Sequence, residues 1–192
     1  MIETEKVELR PTRPPSKLAR AIKASAFSEA RVWQPVGNGW RQLYGDFRNL
    51  GVSVESHEIE LAGELDWSRS FHPESLELCL NLDGCASIQC EEKGVAFEPS
   101  TAAFYLPGRE KLAGWREPGQ KHRFITVEFS AGFLRKHLAG CDGALHPLVE
   151  GFILGSPPRA ALGEIHRLTT EQEQLAAQMP QPPAAQAARG LW

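Results

Sequence analysis

Residues 76–84 read LELCLNLDG, with Leu76, Leu78, Leu80 and Leu82 alternating against Glu77, Cys79, Asn81 and Asp83. A two-residue period belongs to a β-strand with one buried face, and the Asp-Gly pair that ends it suits a tight turn. The pattern recurs along the chain. CASIQC turns at EEKG into VAF, TAAFYLPG stops on Pro-Gly, and HRFITVEF alternates again. In that last segment Ile125, Val127 and Phe129 share one face, and His122, Phe124, Thr126 and Glu128 share the other. WRQLYGDF and VSVESHEIEL are further strands, although Val52 and Val54 fall out of phase with Ile59 and Leu61, which predicts a bulge between them. Seven to nine short strands, roughly counted, at turn-punctuated spacing between 32 and 129 predict a sandwich or barrel.

After Phe129 the period lengthens. Ser130 is placed to cap a helix over AGFLRKHL, PLVEGFIL reads as a second, and a third is predicted from Arg159 through ALGEIHRLTTEQEQLAAQ. Its stripe of Leu162, Ile165, Leu168 and Leu175 is longer than one small barrel can cover, so these residues are expected to form a homodimer seam. Ahead of the barrel, RPTRPPSK sets Arg10, Arg13 and Lys17 among prolines, an extended basic arm after which Ser16 starts a short helix. At the other end, AAQAARGLW opens a helix-forming run and stops, which suggests that the natural protein continues. The expected division is an arm and short helix over 1–31, a β-barrel over 32–129, a helical dimerisation segment over 130–178 and a linker over 179–192.

Charge and motifs narrow the function. A net charge of -3 offers no field for a nucleic acid backbone. The opening MIETEKVELR lacks the apolar core of a signal peptide, and no apolar run approaches a membrane span, so the cytoplasm is expected. Neither G-x-S-x-G, G-x-x-x-x-G-K nor H-E-x-x-H occurs, and the four cysteines form no C-x-x-C pair.

The run EPGQKHRFITVEFSAGFLRKHL, preceded by AAFYLPG, resembles the N-terminal sensor domain of AraC/XylS-family transcription regulators, over about Trp40 to Gln178. The resemblance implies a mostly β fold, a cupin-like β-barrel or jelly roll followed by C-terminal α-helices that mediate dimerisation. It implies that the barrel senses a small organic effector and that DNA is contacted only through a helix-turn-helix module not in this chain. AARGLW is similar to the start of the connection to that module.

A metal-holding cupin needs several histidines and a carboxylate converging from neighbouring strands. Here SRSFHPESLEL carries a single His72 followed by Pro73, and Pro107-Gly108 leads into Arg109, Glu110 and Lys111, with His122 the next histidine. No metal and no cofactor is expected. The face of His122, Phe124 and Thr126 suits an organic ligand instead, with Trp40, Trp67 and Trp115 as aromatic walls and Arg41, Arg69 or Arg123 able to pair an anion. Two other readings stay open: a small cupin enzyme such as an isomerase or dioxygenase, and a ligand-free dimerisation platform with a filled barrel.

Overall fold

The computed structural model describes residues 33, 39–91, 93–108, 112–141, 143, 145–155 and 160–179. The expected arm and short helix at 1–31 lie outside the described residues, as does the 179–192 linker beyond Met179. The strands are β1 (Trp40–Asp46), β2 (Val52–Glu60), β3 (Leu65–Asp66), β4 (Leu76–Asp83), β5 (Ala86–Cys90), β6 (Lys93–Phe97), β7 (Thr101–Leu106), β8 (Ala113–Arg116), β9 (Lys121–Phe129), β10 (Ala161–Leu162) and β11 (His166–Arg167). The helices are α1 (Phe47–Leu50), α2 (Ala131–Leu138), α3 (Pro147–Ile153) and α4 (Thr170–Gln178). The fold is mostly β, two antiparallel sheets followed by helices. One antiparallel sheet runs β1-β2-β9-β4-β7-β10, with β11 also on β7, and it faces a second sheet of order β3-β8-β5-β6.

Local chemistry sets the punctuation. Asp83 and Gly84 end β4 as expected, with Gly84 at φ 76° and its N–H on Asp83 Oδ1. That glycine is obligatory: a Cβ there would lie 2.4 Å from His122 Nδ1 and 2.8 Å from the Lys121 carbonyl oxygen. Ser130 accepts the Phe133 N–H and starts α2, and Pro147 opens α3 at the position where its missing N–H is harmless.

Two apolar clusters hold the layers together. The first fills the space between the sheets with Ile59, Trp67, Phe71, Ile88, Phe97, Tyr105 and Phe124. The second seals the outer face of the large sheet under α2 and α3, through Leu76, Leu106, Leu134, Val149 and Phe152. Burying each such side chain stabilises by about 1.5–3 kcal/mol.

The structure reverses the usual rule for which strand face is enclosed and overturns two expectations, the bulge and the long helix. In β4 it is Glu77, Cys79 and Asn81 that point between the sheets and are fully buried, whereas Leu78, Leu80 and Leu82 lie on the outer face and are only partly covered. In β2 there is no bulge, and its register with β9 is unbroken from Val52 to Glu60. Val52 is buried on the outer face and Ile59 on the inner one, so both are satisfied by a regular strand. The register shifts of this sheet fall elsewhere, in β1 between Gln42 and Tyr44 and in β4 between Asn81 and Asp83. Finally, the stretch after Arg159 is not one helix. Ala161–Leu162 and His166–Arg167 pair as short strands with β7, and only Thr170–Gln178 is helical, opened by a capping box of Thr169 and Gln172. Leu162 and Ile165 pack on the inner cluster, so they cannot share a helical seam with Leu168 and Leu175.

Candidate functional site in the sandwich interior

Register places the inward side chains of the large sheet in rows. Residues paired directly across antiparallel strands share a face. Ser53, Glu128, Glu77 and Tyr105 make one row, Glu55, Thr126, Cys79 and Ala103 the next, and His57, Phe124, Asn81 and Thr101 the third. Glu55, Glu77 and Glu128 are each 2% exposed, and His57 is 1% exposed. The interior of this domain is therefore charged and polar over much of the large sheet, and aromatic on the side of Trp67, Phe71 and Phe97.

From the second sheet Arg116 reaches across, fully buried. Its guanidinium sits in the angle between two rings, 4.1 Å from the Trp67 centroid and 3.3 Å from that of Phe124. It donates to Asn81 Oδ1 at 3.1 Å and to Cys79 Sγ at 3.7 Å. Burial lowers its pKa to about 10, so it stays a cation at neutral pH. His57 lies parallel to Phe124, with centroids 4.1 Å apart and planes 2° apart. Imidazole and guanidinium must take opposite faces of that ring, because both could not fit on one.

Hydrogen bonds and burial set the protonation states. Glu55 accepts from Trp40 Nε1 at 2.8 Å and from Ser53 Oγ at 3.1 Å, yet burial outweighs these bonds and raises its pKa. Glu77 accepts from the His72 N–H at 2.8 Å and from Ser75 Oγ at 3.2 Å, and burial still pushes it up to about 8. At neutral pH it is mostly the neutral acid. Tyr105 holds its hydroxyl beside Glu77 in a contact too loose for a full hydrogen bond, and burial, then Glu77, raises that phenol far above its usual value. His57 faces Thr126 Oγ1 at 3.0 Å, and burial, helped by Arg116, keeps its imidazole neutral. Cys79 is raised to about 12 by burial and is no nucleophile.

Of the residues picked out from sequence, Trp40, Trp67, His122, Phe124 and Thr126 do face inward, but they are not all together. Phe124, Thr126 and Trp67 line the centre, and Trp40 touches it through Glu55. His122 is set apart at one end, bonded to the Glu117 carbonyl oxygen at 2.8 Å and packed on Gly84. Arg41 pairs in register with Ser56, on the outer face, and Trp115 precedes the inward Arg116 and so points the other way. Arg69 is an exposed partner of Asp66, and Arg123 sits outside opposite Glu58. Sequence reasoning missed Glu55, His57 and Glu77, which read as the polar side of an alternating strand, Arg116, whose strand was not foreseen, and Glu128, which shares the chosen face of Phe124 and Thr126 but was not singled out. Their one legible signal is shared parity: Glu77 opposes the leucines of its strand just as Glu128 opposes Val127 and Phe129.

Outside the sandwich, Phe47, Arg48, Leu50, His72, Glu74 and Ser130 line an open cleft of about 520 Å³. Among the described residues no three His, Cys, Asp or Glu side chains converge as metal ligands, and no helix is long and apolar enough to cross a membrane.

Several solved structures resemble the chain. The EutQ protein of Clostridium difficile is 15% identical, over 47% of this chain and 66% of its own, with a TM-score of 0.35. The Cupin_2 domain of an XRE-family transcriptional regulator from Enterobacter cloacae is 10% identical over 47% and 93%, at 0.37. Pirin YhhW of Escherichia coli, in complex with nickel(II), is 10% identical over 68% and 51%, at 0.41. Such distant likenesses carry nothing about this chain's chemistry. No curated protein matches it. Residues 48–192 match the family model described as the regulatory protein PchR N-terminal domain, and this chain, so matched over well more than half its length, belongs to that family of regulatory domains.

Proposed function

We propose that the chain is the effector-sensing and dimerisation part of an AraC-family transcription regulator of the cytoplasm, and not an enzyme. A small organic effector binds between the sheets, and DNA is contacted only through a module outside this chain. The observation that carries this reading is the polar interior. Buried ionisable groups are poor stabilisers, and an apolar filling of the same volume would serve a purely structural barrel as well or better. Glu55, His57, Glu77 and Arg116 are nevertheless enclosed there, which suits a site that must bond a polar molecule in a dry setting. The effector would act by its difference in affinity for two arrangements of the domain. Self-association falls to Leu168 and to Leu175, which is 56% exposed on α4.

The test is a thermal-shift screen of small aromatic and polar molecules. A true effector raises the melting temperature by binding the native state, and Phe124→Ala abolishes that shift while leaving the dimer intact. A shift that survives Phe124→Ala moves the site out of the interior. One observation favours a second reading, the ligand-free dimerisation platform: Trp67, Phe97, Tyr105, Arg116 and Phe124 are each below 2% exposed, so their side chains are packed almost wholly against other protein atoms. A broad screen without any interior-dependent shift would establish that reading.

A further inference from the structure

Trp33 belongs to neither sheet, lies seven residues ahead of Trp40, and yet its side chain is only 2% exposed. Its indole rests on the inward aromatic pair, with its centroid 4.4 Å from that of His57 at a tilt of 58° and 6.0 Å from that of Phe124. In shape the indole fits its seat. In polarity it does not: Trp33 Nε1 and His57 Nδ1 are both buried with no hydrogen-bond partner among the described residues. A buried donor and a buried acceptor left unbonded at one contact keep the full desolvation penalty of each.

The tautomer of His57 defines what is missing. Its Nε2 faces Thr126 Oγ1 at 3.0 Å and the Glu55 carboxyl at 3.9 Å. In the tautomer that donates from Nε2 to Thr126 Oγ1, the neutral ring presents a bare lone pair at Nδ1. We propose that Trp33 occupies the effector's own seat, and that the effector is a flat aromatic or heteroaromatic molecule with an N–H or O–H on its edge, which replaces the indole on His57 and Phe124 and donates to His57 Nδ1. This rests on the interior-effector reading above and adds the ligand's class and the device that closes the site in its absence. It also accounts for the filled interior, since the occupant is part of the chain.

The experiment uses the 192-residue chain with Trp33→Ala and two probes of like shape, indole, which has an edge N–H, and benzothiophene, which has none. Both are expected to raise the melting temperature of Trp33→Ala and to bind the unsubstituted chain more weakly, because there Trp33 must first leave. Calorimetry on Trp33→Ala should show indole about tenfold tighter, the worth of one buried hydrogen bond, and adding His57→Phe, which keeps a ring for stacking, should erase that preference. Equal affinities for the two probes overturn the donor requirement and leave the interior-effector reading standing. If neither probe stabilises a folded Trp33→Ala chain, the seat is not a ligand site and this proposal falls, whereas the interior-effector reading is judged separately by the Phe124→Ala screen. Should Trp33→Ala not fold, Trp33→Leu takes its place, and unfolding of both shows Trp33 to be core structure and overturns the proposal.

Discussion

Replacing Glu77 by glutamine should make the domain more stable at pH 8 and leave it nearly unchanged at pH 5. The carboxyl is fully buried and its folded pKa is pushed from 4.5 to about 8. The native state therefore holds a proton to a higher pH than the unfolded chain does. The resulting stability is complete below pH 4.5 and is lost as pH rises through 8. At 1.36 kcal/mol per pKa unit, the loss between pH 5 and pH 8 is at most about 3.5 kcal/mol. Glutamine cannot ionise, its amide oxygen can still accept from the His72 N–H and Ser75 Oγ, and its NH2 replaces the acid O–H. Urea titrations followed by tryptophan fluorescence at pH 5, 6.5 and 8 give the difference between the two chains. His57 and His72 have lowered pKa values, His72 near 4, so their own stabilisation is present above 6.5 and fades as pH falls. That slope is common to both chains and cancels in the difference. Parallel pH profiles for the two chains would refute the reasoning, since they would mean that Glu77 ionises in the folded state as easily as in water.

Arg116 forms no ion pair among the described residues, so Arg116→Met should cost less than about 1 kcal/mol or stabilise, whereas Arg116→Ala leaves a cavity beside Trp67 and Phe124 and should lose about 2–5 kcal/mol; equal losses in chemical denaturation would contradict this. Gly84→Ala forces a Cβ against His122 and the Lys121 carbonyl at φ 76°, and should lower stability by more than about 1 kcal/mol; an unchanged melting temperature would show that the turn can shift. Leu175→Glu should weaken self-association by setting a charge in an apolar seam, and light scattering that finds the unsubstituted chain monomeric at high micromolar concentration removes the dimer altogether.

The positions of the longer strands between 40 and 129, the Asp83-Gly84 turn, the Ser130 cap and the length of α2 were legible because each depends on neighbours within a few residues. The family resemblance was legible too, through the passage from β9 into α2. The site was legible in part. Alternation in HRFITVEF correctly separated Phe124 and Thr126 from Ile125 and Val127, and the face chosen as inward is the inward one. It failed for Trp115 and Arg41 because a large aromatic ring or a cation was preferred over its strand neighbour, and nothing local says which of Trp115 and Arg116 turns inward.

By itself the sequence determined where the longer strands between 40 and 129 and the helices α2 and α3 lie, and that each such strand has two unlike faces. Only the tertiary structure decided which face is inside. A period of two is the same whichever face is buried, and the usual rule that the apolar face goes in holds only when the other face meets water. Here α2 and α3 cover part of the outer face of the large sheet, so Leu76 at the head of the leucine row of β4 finds apolar neighbours there, and Glu77, Cys79 and Asn81 are enclosed on the other face. The same holds for residues 161–168: spacing alone suits a helix, but the open edge of β7 offers backbone hydrogen bonds to two short strands, and an unpaired sheet edge outweighs local helical period. Long-range pairing, which no window of sequence contains, set both outcomes.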